Sequence, residues 1–516
     1  MINRFRILLS AVLAAAFLVP LSLPANAATT YVPITGTGST WSQNALDQWR
    51  KNVASNYGMT VNYSGTGSSA GRRDFIQGTV DFGVSEIPFQ LHPTDGSTPE
   101  IVPRGYAYMP IVAGGTSFMY NLKISGKRVS SLRLSGDTIS KIFTGVITNW
   151  NDPAIAKDNP KLALPDKTIV PVVRSDGSGT TAQFTLWMSK QYSSLWSKFC
   201  KKTGGSANCG LTSQFPTASG FKYQSGSNGV AGYVSQDYGE GAITYVEYSY
   251  ALKAGFPVAK VLNKSGYYIE PTANSVAVAL LKAKINQDKT SDAYLTQILD
   301  GVYNNADPRT YPISSYSYMI VPTEVGGVFT TKKGATLGAF AHYMLCEGQQ
   351  QAAALGYSPL PMNLVLAGFD QIKRIPGANS AANTDTSTCN NPTFKAGDSP
   401  TNNQLAASAP QPAACDKQGS DQCLDGTGGA SSSGSTGSTG STGTTDGTTG
   451  SSGTTGSSTG GSSGGYLPTN VESYPYKLPD EGFGYQQFTL LLSGVLLILV
   501  VIVPPLFINW LRRKRS

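Results

Sequence analysis

The chain has 516 residues and a formal net charge of +8. Arg4 and Arg6 carry two of these charges and the cluster at 512–515 carries four, which leaves about +2 for the remaining residues. Such a balance gives no basic surface of the kind that binds nucleic acid, so we expect no nucleic-acid partner. His92 and His342 are the only histidines and the cysteines form no CxxC, so we expect neither a metal nor another cofactor.

Residues 1–27 have the form of a secretory signal peptide. Basic residues at the start, Arg4 and Arg6, precede an apolar stretch and a small-x-small cleavage site at Ala25-Asn26-Ala27. We therefore expect an exported chain.

The six cysteines indicate disulfides, because their number is even and the chain is expected to be exported. Fifteen pairings are possible for six cysteines. Proximity in the sequence suggests the pairs Cys200–Cys209, Cys346–Cys389 and Cys415–Cys423.

Residues 28–375 are predicted to fold as an α/β domain, because strand-like runs alternate with helix-like runs. "MTVNYSG" precedes the helical "SSAGRRDFIQG", and "TVDFGVSE" is a further strand. "KTIVPVVRS" leads into the helical "GTTAQFTLWMSKQ", and "GAITYVEYSYALKAG" repeats the pattern. Such strand–loop–helix units bind ligands at the carboxyl ends of their strands.

The C-terminal part is predicted to be a linker followed by a membrane anchor. Residues 376–485 are rich in small and polar residues, and 424–465 are almost wholly Gly, Ser and Thr, so we expect a flexible tether. Residues 486–509 contain an uncharged apolar segment long enough to span a bilayer. The basic tail at 510–516 places the C-terminus in the cytoplasm, so the domain faces the extracellular side.

Three short Gly/Ser/Thr loops each precede a predicted helix. They are "GTGST" at 36–40, "GTGSS" at 65–69 and "RSDGSGTT" at 174–181. One interpretation is that the hydroxyls of these loops act as helix N-caps and have no further role. Alternatively, free N–H groups at helix starts bind an anion, and Arg174 supplies a fork of donors that Asp176 could hold in place. The phosphate-cradling motif GxxxxGK[ST] is missing from the sequence, so we expect a small anion rather than a nucleotide.

These loops and their neighbours resemble the phosphate-binding receptors of bacterial ABC phosphate importers. The segments "ITGTGSTW", "VNYSGTGSSAG", "GTVDFGVSEIPF" and "VVRSDGSGTTAQFT" appear in the family's order, and the resemblance covers roughly 30–375. It implies a type II periplasmic-binding-protein fold, α/β in class, with two lobes that close about a hinge. The first lobe would span about 29–112 plus 312–375 and the second about 113–311, with chain crossings near 108–118 and 305–315.

The resemblance also implies a ligand and its contacts. The ligand would be inorganic phosphate, delivered to ABC permease subunits in the membrane, and we expect a monomer. Asp176 would orient Arg174. The phosphate contacts would come from Thr40, Trp41, Ser68, Glu86, Arg174, Ser178, Gly179 and Thr180.

Glu86 departs from the family pattern, in which "VDFGVSE" normally ends in aspartate. A carboxylate there can accept a hydrogen bond from protonated phosphate, whereas sulfate has no proton to give at neutral pH. Glutamate keeps the acceptor but is longer by one carbon–carbon bond, about 1.5 Å. Either the pocket suits the longer side chain, or affinity and selectivity have changed, or Glu86 points to solvent.

Three rival functions stay open from the sequence. A receptor or sensor for another tetrahedral oxyanion would explain Glu86. A phosphoester hydrolase would use Ser68 or Ser178 as nucleophile, but that chemistry needs a positioned base and neither histidine is near those loops in sequence. A structural surface protein would have no need of Arg174 and Asp176. We therefore expect a binding protein with no catalytic residues.

Overall fold

The structure is a computed structural model that describes residues 31–430, except 206–208, 289, 292–293, 381–383, 385, 396 and 400. The predicted signal peptide (1–27), membrane segment (486–509) and basic tail (510–516) lie outside these residues. Within the described ranges, we find no helix with the length and apolar character needed to cross a membrane.

The strands are short apart from two. They are β1 (Ile34–Gly38), β2 (Val61–Ser64), β3 (Phe82–Ser85), β4 (Tyr106–Tyr120), β5 (Lys123–Ile124), β6 (Lys127–Arg128), β7 (Arg133–Leu134), β8 (Val170–Arg174), β9 (Lys222–Gln224), β10 (Ala242–Glu247), β11 (Lys260–Leu262), β12 (Tyr268–Ile269), β13 (Lys284–Ile285), β14 (Gln297–Ile298) and β15 (Ser314–Pro322).

The helices follow many of the strands directly. They are α1 (Gln43–Tyr57), α2 (Ser68–Ile76), α3 (Gly136–Phe143), α4 (Pro153–Asp158), α5 (Gly179–Gln191), α6 (Ser193–Lys202), α7 (Gly226–Ser235), α8 (Tyr248–Ala254), α9 (Ala273–Leu280), α10 (Asp300–Tyr303), α11 (Thr331–Leu345), α12 (Met362–Ile372) and α13 (Gln404–Ala407).

One mixed sheet runs through the domain in the order β2-β1-β3-β15-β4-β10-β8-β9. Strands β2, β1 and β3 are parallel to one another, as are β10, β8 and β9. The long strands β4 and β15 run antiparallel between these two parallel groups. The fold is therefore the α/β fold expected from the sequence.

Strand β4 is shared by two half-sheets. Residues 106–115 pair with β15, whereas residues 116–120 pair with β10. We call the part built on β1, β2, β3 and β15 the first lobe, and the part built on β10, β8 and β9 the second lobe. The crossings expected near 108–118 and 305–315 fall on β4 and on the segment that leads into β15.

The predicted strand–helix units match the observed elements closely. "GTTAQFTLWMSKQ" is helix α5 over its full length, and "GAITYVEYSYALKAG" contains β10 and α8. Helix α1 forms because it has one apolar face. In α1 the buried side chains, at spacings of one, three and four residues, are Ala45, Leu46, Trp49 and Val53.

Packing against the domain continues beyond 376, where the sequence predicts the start of the linker. Residues 386–430, which we call the strap, pack against the domain. Asn391 donates to the carbonyl of Leu345 at 3.0 Å, and Thr393 donates to that of Leu360 at 2.8 Å. Phe394 is buried beside them. The residue composition predicts a tether here, because the few side chains that become buried are outnumbered by small polar residues and hardly change the average composition of the segment.

Farther along, the strap reaches the second lobe. Lys260 forms a largely buried ion pair with Asp416, with both N···O distances at 2.8 Å. Arg133, itself buried, donates to the carbonyls of Cys415 and Asp421 at 3.0 Å each. The strap therefore connects the two lobes on its own path.

All six cysteines lie in described residues, and they pair as their proximity in the sequence suggested. Cys346–Cys389 joins the end of α11 to the start of the strap. Cys415–Cys423 closes a small loop within the strap, and Cys200–Cys209 lies in the second lobe.

Candidate functional site

The predicted site residues meet between the two lobes at the carboxyl ends of the parallel strands. Thr40 and Trp41 follow β1, Ser68 follows β2 and Glu86 follows β3. From the second lobe, Arg174 ends β8 and the loop after it leads into α5. All of these side chains are buried, and the lobes contact each other directly here. The position is the usual one for a ligand in an α/β fold.

Glu86 lies at the centre of this cluster and is completely buried, so it does not point to solvent. Its Oε2 accepts a hydrogen bond from Ser68 Oγ at 2.7 Å. Its Oε1 accepts one from Ser317 Oγ at 2.9 Å and another from Ser39 Oγ. Three serine hydroxyls thus replace the water that a buried carboxylate loses.

Arg174 is also buried, with 2% of its side chain exposed, and Asp176 holds it in a fixed orientation. Its Nε donates to Asp176 Oδ1 at 2.7 Å, and its Nη2 donates to Asp176 Oδ2. Burial on its own would raise the pKa of Asp176, but the hydrogen bonds and charge of Arg174 outweigh it and hold that pKa below its usual value. Asp176 therefore stays ionised at neutral pH.

Arg174 keeps donors for a ligand. A guanidinium has five N–H groups. Among the described residues, Asp176 accepts from two of them and Ser227 Oγ accepts from Nη1 at 3.4 Å. One N–H on each terminal nitrogen remains, which is the paired arrangement that suits an oxyanion.

The start of α5 contributes the third loop. Ser178 caps this helix, because its Oγ accepts from the backbone N–H of Thr181 at 3.1 Å. The other two loops contain no such cap: the residues before α1 and α2 are Ser42 and Gly67, and neither makes a side-chain capping bond. Capping alone therefore does not explain the three loops.

Two backbone donors expected to face the ligand bind serine hydroxyls in the structure. The N–H of Trp41 donates to Ser39 Oγ at 2.9 Å, and the N–H of Gly179 donates to Ser68 Oγ at 3.1 Å. The hydroxyl of Thr180 is buried and has no hydrogen-bond partner in the part of the chain that the structure describes. A buried hydroxyl without a partner costs free energy, so Thr180 is suited to donate to a ligand.

Sequence reasoning missed several residues of this cluster, namely Ser39, Ser227 and Ser317. Ser227 follows β9 at the start of α7, in "SGSNG", a fourth Gly/Ser run ahead of a helix. Ser227 could have been predicted from that run. Ser317 lies on β15, and its sequence context gives no sign that it reaches Glu86.

Neither histidine is a base for the serines that a hydrolase would use. His342 stacks on Phe369 within the first lobe, and His92 is exposed on a surface loop. Ser68 Oγ instead donates to Glu86, and Ser178 Oγ serves as a helix cap.

Comparison with known proteins identifies the family. A family model described as the PBP superfamily domain matches residues 23–347. The phosphate-binding protein PstS of Xylella fastidiosa is 34% identical over 342 residues, which cover 66% of this chain and 85% of that protein. The PstS protein of Pasteurella multocida is 32% identical, over 64% of this chain and 87% of that protein.

A solved structure has the same fold. The phosphate-binding protein from Stenotrophomonas maltophilia superposes with a TM-score of 0.50 and 18% identity, over 69% of this chain and 98% of that one. The relatives are binding proteins and not enzymes. The chain therefore belongs to the PBP superfamily and, within it, to the family of the PstS phosphate-binding proteins.

Proposed function

We propose that this chain is a receptor that binds inorganic phosphate between its two lobes. The observation that carries the proposal is the presence of a fixed Arg174 fork and a buried carboxylate, Glu86, in one buried cluster. The fork attracts a dianion, and the carboxylate selects an anion that still carries a proton. The proposed contacts are the side chains and N–H groups of Thr40, Trp41, Ser68, Glu86, Arg174, Ser178, Gly179 and Thr180.

Glu86 has capacity for the ligand's proton. Each carboxylate oxygen can accept about two hydrogen bonds. Oε1 accepts two from Ser39 and Ser317, whereas Oε2 accepts one from Ser68. The second acceptor position on Oε2 can take the O–H of monohydrogen phosphate. Sulfate would place a bare oxygen against this carboxylate, and two opposed acceptors in a buried site cost about 1–3 kcal/mol or more.

Direct contact of phosphate with the Trp41 and Gly179 N–H groups requires a small rearrangement. The hydroxyls of Ser39 and Ser68 must turn so that these N–H groups face the ligand. Rotation of a serine side chain about χ1 moves its Oγ away from the N–H and needs no backbone movement. The other donors, from Arg174 and Thr180, are already without partners among the described residues.

The cellular role that we propose is delivery of phosphate to the permease subunits of an ABC importer. Export by the N-terminal signal and anchoring by residues 486–509 would keep the receptor at the extracellular face of the cell membrane, with its C-terminus in the cytoplasm. Support comes from the sequence: the apolar segment carries no charge, and basic residues follow it.

Calorimetric titration of the purified full-length protein, stripped of bound anion, tests the ligand. We expect phosphate at pH 7.5 to bind with micromolar or tighter affinity, and excess sulfate to leave that affinity unchanged. Glu86→Gln should weaken the discrimination between phosphate and sulfate about tenfold or more, because the amide can donate to sulfate. Glu347→Gln, at an exposed glutamate, is the matched control. Equal binding of both anions by the unmodified protein would refute the proposal.

A further inference from the structure

The start of α7 provides a contact between the lobes that involves several members of the site. Ser227 is completely buried between them. Its backbone N–H donates to Thr40 Oγ1 at 3.1 Å, and the two hydroxyl oxygens are 2.9 Å apart. Tyr250, on the neighbouring helix α8, donates to the carbonyl of Thr40. A single residue of the first lobe is thus held at both its side chain and its backbone by the second lobe.

The same turn also contacts the charged pair of the site. Ser227 Oγ accepts from Arg174 Nη1 at 3.4 Å, and the N–H of Gly226 donates to Asp176 Oδ1 at 2.9 Å. Ser227 therefore touches the cation that would bind the ligand, and its neighbour touches the carboxylate that orients this cation.

The groups involved fix the direction of the Arg174–Ser227 hydrogen bond, whereas either hydroxyl can donate between Ser227 and Thr40. A guanidinium only donates, so Ser227 Oγ accepts from Arg174. If Ser227 then donates its own proton to Thr40 Oγ1, that oxygen accepts two hydrogen bonds, one from the N–H and one from the O–H of Ser227. Both of its lone pairs are then used, and the proton of Thr40 must point elsewhere.

We propose that Ser227 is a positioning residue that ties the lobes together and turns the hydroxyl proton of Thr40 towards the bound anion. Its role in ligand contact rests on the proposed function in phosphate binding. Its role in joining the lobes does not, because Ser227 and Thr40 contact each other directly. Loss of the Ser227 hydroxyl leaves Thr40 free to donate its proton to other acceptors and removes one restraint on Arg174.

Rates of phosphate exchange test the ligand part of the proposal. Ser227→Ala removes the hydroxyl with little change in volume. Ser235→Ala on the same helix is the matched control, since among the described residues the Ser235 hydroxyl donates within its own helix, to the carbonyl of Gly232. We expect release of radiolabelled inorganic phosphate from full-length Ser227→Ala to be about tenfold faster or more, with association changed by no more than about twofold. Release rates that are the same for both variants would overturn the proposal.

Amide hydrogen exchange without phosphate tests the contact between the lobes. In Ser227→Ala we expect faster exchange in the peptide at 224–232 and also in the peptide at 39–46 on the first lobe, since local opening raises exchange. In Ser235→Ala the peptide at 39–46 should exchange as in the unmodified protein. Unchanged exchange at 39–46 in Ser227→Ala would overturn the proposal. If the unmodified protein does not bind phosphate, the proposed function fails, and this measurement still decides whether Ser227 joins the lobes.

Discussion

Gly179 shows how little space surrounds the carboxylate of Glu86. A Cβ atom at position 179 would lie 1.8 Å from Glu86 Oε2 and 2.6 Å from Ser68 Oγ. The backbone conformation of Gly179 is helical, so alanine would meet no conformational strain there. Glycine is therefore required at this position because a side chain would have no room next to the proposed anion site.

The substitution Gly179→Ala should therefore weaken phosphate binding strongly while the domain stays folded. The methyl group would displace Glu86 and Ser68, and we expect the Kd to rise about a hundredfold or more, measured by calorimetry. Gly232→Ala in α7 is the control, because a Cβ there has no atom of the described residues within 4 Å. A Gly179→Ala protein that binds phosphate as tightly as Gly232→Ala would show that ligand and Glu86 do not share this space.

Glu247 is a second buried carboxyl group, at the end of β10, and its pKa lies well above the usual value because burial disfavours its charged form. The N–H of Ser249 donates to its Oε2 at 2.8 Å, which offsets only part of this effect. A raised pKa means that the folded protein keeps a proton that the unfolded chain releases above about pH 4.5. Stability therefore falls as the pH rises above that value.

We expect Glu247→Gln to remove this loss. The free energy of unfolding in urea, compared at pH 4, 5.5 and 7, should increasingly favour the variant as pH rises, by at most about 1.4 kcal/mol per pH unit. Glu240 provides a control of opposite sign, because hydrogen bonds from Lys167 lower its pKa. Its stabilising contribution is present above pH 4.5 and is lost as the pH falls below that value, so Glu240→Gln should cost stability at pH 7 and progressively less at lower pH. Parallel pH profiles for Glu247→Gln and the unmodified protein would contradict the expectation.

At the level of secondary structure, the strap is the element that most depends on the rest of the fold. It begins at a disulfide with α11, packs α13 against α9, and continues to the second lobe. Arg309 donates to the carbonyls of Ala406 and Ala409 at 3.0 and 3.2 Å. These two hydrogen bonds hold the middle section of the strap. The strap is held by individual polar contacts: its side chains donate to backbone carbonyls of the domain, arginines of the domain donate to its own carbonyls, and Asp416 pairs with Lys260.

Removal of the strap should destabilise the domain. A chain ending at 375 leaves Arg133 and Lys260 without their partners on the strap, and leaves Cys346 as a free thiol. We expect its Tm to be lower by about 5 °C or more than that of a chain ending at 430, measured by calorimetry. The longer chain is the matched control, since both lack the residues after 430. Equal Tm values would mean that the strap contributes nothing to stability.

Sequence patterns could predict the strand–helix units, because each unit carries its signal locally. Helix α5 begins at a capped Gly/Ser loop after an apolar strand, and its bounds were predicted to the residue. The strap could not be predicted, because its contacts depend on partners such as Leu360 and Arg133 that are distant in sequence.

The same distinction applies to the site. Arg174 and Asp176 are neighbours in sequence, so their pairing could be anticipated. The contacts of Ser227 with Thr40 and of Ser317 with Glu86 join residues far apart in the chain. These depend on how the two half-sheets meet, which no local pattern records.

For the molecule as a whole, the path of the strap determines where the two ends of the described residues lie. The N–H of Val32, near its beginning, donates to Thr336 Oγ1 on α11 in the first lobe at 3.1 Å. The N–H of Gly429 donates to the carbonyl of Phe256 in the second lobe at 3.0 Å. A domain that ended after α12 would have both ends on the first lobe. Because the strap crosses over, a donor dye attached near residue 31 and an acceptor dye near residue 430 would sit on opposite lobes, and energy transfer between them would report the distance between the lobes directly.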